Sequence, residues 1–168
     1  MARNRVIYQS DAIFISDDIS STGSNNHNNI NRVQSANYGF TINRQDVNQY
    51  GQLSRLDSVV TESPLVTLDL SYYLTDGYNE QFLNLETDSN VGFLSGQMAT
   101  SSGQNFYIIT TPEGKDAAFG DYSNFDVISI GNAFLTDYSV NFGVGQIPIV
   151  NVSFECANIS SQIQLTKE

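Results

Sequence analysis

The sequence predicts a mainly β domain, a β-sandwich or barrel with one short helix and a long loop over residues 44–64, and three observations carry that prediction. Apolar and polar residues alternate with period two in several stretches, which is the signature of a strand with one buried face. Helix is scarce, and the roughly twenty residues from Arg44 to Pro64 carry no helix-length apolar stripe. Ten Phe and nine Tyr, with no Trp and many Ser, Thr, Asn and Gly, suit strands and turns better than helices.

The two most regular stretches frame the long loop. Ala36, Tyr38, Phe40 and Ile42 alternate with Asn37, Gly39, Thr41 and Asn43. Val66, Leu68, Leu70 and Tyr72 alternate with Thr67, Asp69, Ser71 and Tyr73. A hairpin needs only about two to five connecting residues, and Arg44 to Pro64 is far longer. Val47, Tyr50, Leu53, Leu56, Val59 and Val60 make this excursion too apolar for a disordered segment. Something must cover that set, and another copy of the chain is the expected cover.

The remaining elements follow in order. Val6 to Tyr8 and Ala12 to Ile15 read as short strands, and Asp17 to Asn29 as a polar loop with an Asn-rich stretch at 24–29. Tyr78 to Glu86 fits a helix of two turns after the turn Thr75-Asp76-Gly77. Val91 to Met98 reads as a loop or short strand because of Gly92 and Gly96. Asn105 to Thr111 is an apolar strand buried on both faces. Pro112 to Gly120 is a second excursion, with a possible helical turn at Ala117–Phe119. Phe125 to Ile130 ends at Gly131-Asn132, and Phe134 to Val144 then alternates through Thr136, Tyr138, Val140 and Phe142. After the reversal at Gly145 and Pro148, Val150, Val152, Phe154 and Cys156 form the next strand, and Ile159, Ile163 and Leu165 a final one.

One domain spanning 1–168 is expected, large enough to bury its own core. The N-terminal stretch lacks the apolar run of a signal peptide, and no run is long enough for a membrane span. The lone Cys156 has no disulfide partner within the chain. Seven Lys and Arg against eighteen Asp and Glu give a net charge of −11. That balance excludes binding to nucleic acid through its phosphates, because too few cations are present to displace counterions. It suits either plain solubility or a surface that DNA passes without sticking.

Catalytic chemistry finds no support. His27 is the only histidine and sits in a polar loop without nearby Cys or His to share a metal. Cys156 lies on an apolar strand phase, where an inert buried thiol is expected. The acids Asp17-Asp18 and Asp116 to Asp121 do not have calcium-loop spacing. Gly143-Val144-Gly145 precedes no helix and no Lys-Ser or Lys-Thr, so it is not a phosphate loop. No enzyme, cofactor or metal site is expected.

Three blocks resemble tail proteins of long-tailed bacteriophages, specifically the major tail-tube subunit. They are Arg32 to Phe40 with the return Val66 to Tyr73, the excursion through Gln49-Tyr50-Gly51-Gln52-Leu53, and Phe134 to Val140 followed by Val144 to Val152. The resemblance implies a homohexameric ring stacked into a hollow tube, in a virion built in the host cytoplasm. It implies contacts with other tail proteins (sheath or tail tip, terminator, tape measure) and passage of DNA without specific binding. The 44–64 excursion would then stack rings through its six apolar residues. The strand pairs 33–43 with 65–73 and 134–144 with 149–156 would line the lumen, with Asp69 and Asp137 facing inward. A non-polymerising neck, terminator or baseplate-hub ring, and a carbohydrate- or receptor-binding β-sandwich, are the alternatives.

Overall fold

The computed structural model describes residues 12–16, 27–87, 92–99, 103–111 and 126–162. Their chain order is β1 (Ala12–Ser16), β2 (Asn28–Asn29), β3 (Val33–Thr41), β4 (Arg44–Val47), β5 (Asp57–Val60), β6 (Leu65–Tyr73), α1 (Tyr78–Phe82), α2 (Ser95–Ala99), β7 (Gln104–Thr110), β8 (Asp126–Asn141) and β9 (Ile149–Gln162). The expectations for Val6–Tyr8, the loop from Asp17 to residue 26, Pro112–Gly120, Asp121, Ile163 and Leu165 lie outside the described residues.

The main sheet is open, antiparallel and seven-stranded, in the order β2-β1-β7-β8-β9-β6-β3, while β4 and β5 form a separate two-stranded sheet. In β6 the expected alternation is reproduced residue by residue: Val66, Leu68, Leu70 and Tyr72 are buried, and the side chains between them are not. Strand β7 is buried on both faces, as its continuous apolar run requires. Ile13, Ile15 and Phe106, from one end of the sheet, share a core with Leu68, Leu70, Val152 and Phe154 from the other. The sheet therefore curls over itself, and the Phe106 and Phe154 rings meet at 4.7 Å between centroids.

Strand β8 corrects the reading of two separate strands at 125–130 and 134–144. It runs unbroken through Gly131-Asn132. Its first half pairs with β7 as far as Ala133, and its second half pairs with β9 alone among the described residues. The join is a bulge. Asn132 takes φ 52°, a left-handed conformation that Asn tolerates better than most residues, and its N–H bonds Asn105 Oδ1 at 3.2 Å. A second irregularity at Thr136, between the Leu135 and Asp137 pairings, shifts the phase of the strand. Phe134 consequently pairs with Glu155 on the open face, while Tyr138 pairs with Val152 on the core face. The simple alternation expected from Phe134 through Tyr138 is broken there. Strand β9 likewise continues from Ile149 to Gln162 instead of stopping at Cys156.

Helix α1 forms where the turn Thr75-Asp76-Gly77 predicts it, with Gly77 at φ 84° as its N-cap. Asn79 ties it down. Its side chain accepts from the Asn31 N–H and donates to the Asn31 carbonyl, both at 2.9 Å. Helix α2 is a second helix where a loop or short strand was expected over Val91–Met98. It follows a turn closed by Ser95 N–H to the Gly92 carbonyl at 2.8 Å, and its Gln97 side-chain amide donates to the Leu83 carbonyl. Docking on the α1 segment supplies what a five-residue helix lacks in intrinsic stability.

Candidate functional site: an assembly surface

The 44–64 excursion is a hairpin, not an irregular loop. Arg44 pairs with Val60 and Val47 with Asp57, and the Arg55–Asp46 ion pair of 3.0 Å braces the exposed turn region. All six apolar residues expected at a subunit contact are exposed, and at the tip Tyr50 and Leu53 are fully so, at 104% and 110%. Single exposed apolar residues are ordinary, but six on one projecting arm form a surface that water covers poorly.

Strands β3, β6, β9 and the second half of β8 form a four-stranded half-sheet. Its outer face is polar. One row across it reads Asn37, Asp69, Ser153, Asp137. The two acids singled out in the sequence thus share a row, separated by Ser153, whose hydroxyl donates to Asp69 Oδ1 at 2.6 Å. The next row, Gly39, Thr67, Glu155, Phe134, adds a third carboxylate that the sequence reading did not single out. No Lys or Arg lies within these four strand segments.

Both edges of the half-sheet are unpaired among the described residues: β3 on one side, and β8 beyond Ala133 on the other. Strand β3 is also uncovered on its apolar phase. Tyr38 is 43% and Phe40 62% exposed, although their partners Leu68 and Val66 are buried. Alternation placed these residues on the core side correctly. It could not reveal that the core stops one strand short of them.

Beside the β8 edge, Leu94, Met98, Ala133, Phe134 and Leu135 line a cleft of about 250 Å³ with Asn84, Gln97 and Gln104. A separate polar cluster joins β6, β8 and α1. Tyr72 and Tyr138 donate their hydroxyls to Glu80 Oε1 at 2.9 and 3.1 Å. Burial, then the Glu80 charge, raises both phenol pKa values far above the usual tyrosine range. Cys156 is buried, and burial followed by the Glu155 charge pushes its thiol up to about 11. His27 packs edge-on to Tyr107 at 5.2 Å between ring centroids. Among the described residues no group of three or more His, Cys, Asp or Glu could hold a metal ion, and no helix is long and apolar enough to cross a membrane.

No family model and no curated relative matches the sequence. Solved structures do match its fold. A chain of the PVC sheath–tube complex, an extracellular contractile injection system in its extended state, superposes with a TM-score of 0.65 at 10% identity, covering 96% of this chain and 94% of that one. The PVC sheath/tube terminator gives 0.65 at 11% identity, covering 96% and 99%. The SPP1 tail tube, from solid-state NMR and cryo-EM, gives 0.59 at 13% identity, covering 96% and 81%. The chain has the tail-tube fold.

Proposed function

We propose that this chain is the repeating subunit of a hollow tail tube, assembled as rings that stack through the β4–β5 arm. The half-sheet with an acidic polar face between two unpaired edges carries the reading. Exposed edges invite pairing, and copies arranged in a ring satisfy every one of them. Four strands per copy also set a lower bound on ring size. Barrels of about eight strands are filled by their own side chains, and about sixteen are needed before a water-filled channel opens. Six copies give a 24-stranded barrel, well above that bound, in agreement with the hexamer that the sequence resemblance implies.

With the polar face inward, Asp69, Asp137 and Glu155 of every copy line the channel. Such a lining repels phosphates and lets DNA pass without adhering. The apolar arm residues Val47, Tyr50, Leu53, Leu56, Val59 and Val60 then lie between rings, and the tube joins the other components of a virion or virion-like particle.

A terminator ring that closes without stacking is the second reading, favoured by the equal likeness to the PVC terminator. Negative-stain electron microscopy of the purified chain across a concentration series separates the two. Hollow tubes of uniform width are expected. Rings that never lengthen would favour the terminator, and a monomer at every concentration would overturn both.

A further inference from the structure

The cross-strand rows of the half-sheet run from the bare side of β3 to the apolar cleft beside β8. One core-side row reads Tyr38, Leu68, Phe154, Leu135, and the next reads Phe40, Val66, Cys156, Ala133. Their middle residues are all buried. Each row therefore ends at β3 in an exposed aromatic ring, and at β8 in a residue that lines the cleft.

We propose that the cleft beside β8 is the receptor for Phe40 of the next copy in the ring, with Tyr38 at its rim. The inference rests on the tube reading and names the contact that closes the ring. Strand β3 is antiparallel to β6, β6 to β9 and β9 to β8, so β3 and β8 run in opposite directions. A neighbour's β3 laid against the free part of β8 thus forms a regular antiparallel pair and satisfies both edges. Continuing the sheet also continues its faces, because alternate side chains keep to one side. Phe40 then arrives on the core side, the side of the cleft lined by Ala133 and Leu135.

The cleft suits an apolar ring. Its volume of about 250 Å³ exceeds the roughly 150 Å³ that admits a benzene molecule. Gln97 and Gln104 turn their side-chain amides away to the Leu83 and Phe82 carbonyls, so an apolar occupant does not strip these donors of their partners. Leu94 and Met98 are 57% and 87% exposed around the cleft. A flexible thioether such as Met98 adapts well to an incoming aromatic.

The test is a cysteine pair, Phe40→Cys with Met98→Cys, oxidised mildly in assembled protein and resolved on a non-reducing gel. A ladder of covalent dimers up to closed rings is expected, absent from either single variant and from dilute, unassembled protein. Rings or tubes that form without this ladder would overturn the inference and leave the tube reading standing. Crosslinking of Leu53→Cys with Met98→Cys in its place would assign the cleft to the β4–β5 arm of another ring, and would overturn it too. If the wild-type chain never assembles, both readings fall together. A further variant, Phe40→Asp, keeps the monomer's far-UV spectrum and loses rings altogether, whereas a substitution confined to stacking leaves single rings.

Discussion

The Tyr72 hydroxyl donates a 2.9 Å hydrogen bond to Glu80 Oε1, joining β6 to helix α1 inside the core. Tyr138 of β8 adds a second donor to the same oxygen at 3.1 Å. A carboxylate that is 2% exposed is costly to bury unless its acceptors are used, and here one oxygen takes two phenols while Oε2 has no partner among the described residues. The pair fixes the α1 segment, and through it α2 and the cleft.

Removing one partner should therefore be expensive. Tyr72→Phe is expected to destabilise the monomer by about 1.5–3 kcal/mol, the usual worth of a hydrogen bond to a charged group. Glu80→Gln keeps an acceptor for both phenols and should cost less than Glu80→Ala, which leaves two hydroxyls unmatched. Urea unfolding at concentrations below assembly measures the order. Equal stability of all three variants would show that the cluster holds nothing in place.

The same cluster sets a pH dependence. Folding raises both tyrosine pKa values, so above about pH 10 the unfolded chain loses phenolic protons that the folded chain retains. Stability is fully present below that pH and declines as pH rises beyond it. Cys156, moved from 9.0 to about 11, contributes with the same sign from slightly lower pH. The urea midpoint should fall above pH 9 to 10, and less steeply in Tyr72→Phe. A midpoint independent of pH up to 11 would contradict the buried cluster.

Leu53→Asp places a charge at the tip of the arm, where the native side chain touches little of its own chain. Monomer stability should change by less than about 0.5 kcal/mol, as for most surface sites. Stacking should fail, leaving isolated rings under the electron microscope. Normal tubes from this variant would remove the arm from the ring-to-ring contact.

Asp69→Lys with Asp137→Lys replaces two negative charges in one row of the open face with two positive ones. Assembled wild-type protein is expected to retain no DNA in a filter-binding assay at low salt. The double variant should retain it, and lose it again as salt rises, because counterion release drives the binding. Equal retention by both proteins would mean that this row does not face the DNA path.

Cys156 should react with a thiol reagent far more slowly than a free cysteine. Its sulfur is enclosed, and burial disfavours the thiolate that does the attacking. Denaturant should restore full reactivity. A fast native reaction at pH 8 would place Cys156 outside the core.

Several features were legible before any coordinates. Alternation identified the buried side of β6 and the core side of β3, and the continuous apolar run of Asn105–Thr111 identified a strand covered on both faces. The glycine-bearing turn before Tyr78 marked α1, and the apolar content of 44–64 marked an arm that its own domain leaves bare. Each is a local property, fixed by the two-residue period of a strand or by the conformational freedom of one glycine.

What the sequence could not supply depends on residues far apart along the chain. Gly131-Asn132 looked like an ending, yet Asn132 adopts φ 52° and bonds Asn105, 27 residues earlier, so β8 runs through. Nothing beside Glu80 in the sequence announces its burial, because one of its two phenol donors, Tyr138, lies 58 residues away. Periodicity determined which way Tyr38 and Phe40 point. Only the tertiary structure decided that they stay exposed, because cover comes from a neighbouring strand, and among the described residues β3 is where the sheet ends.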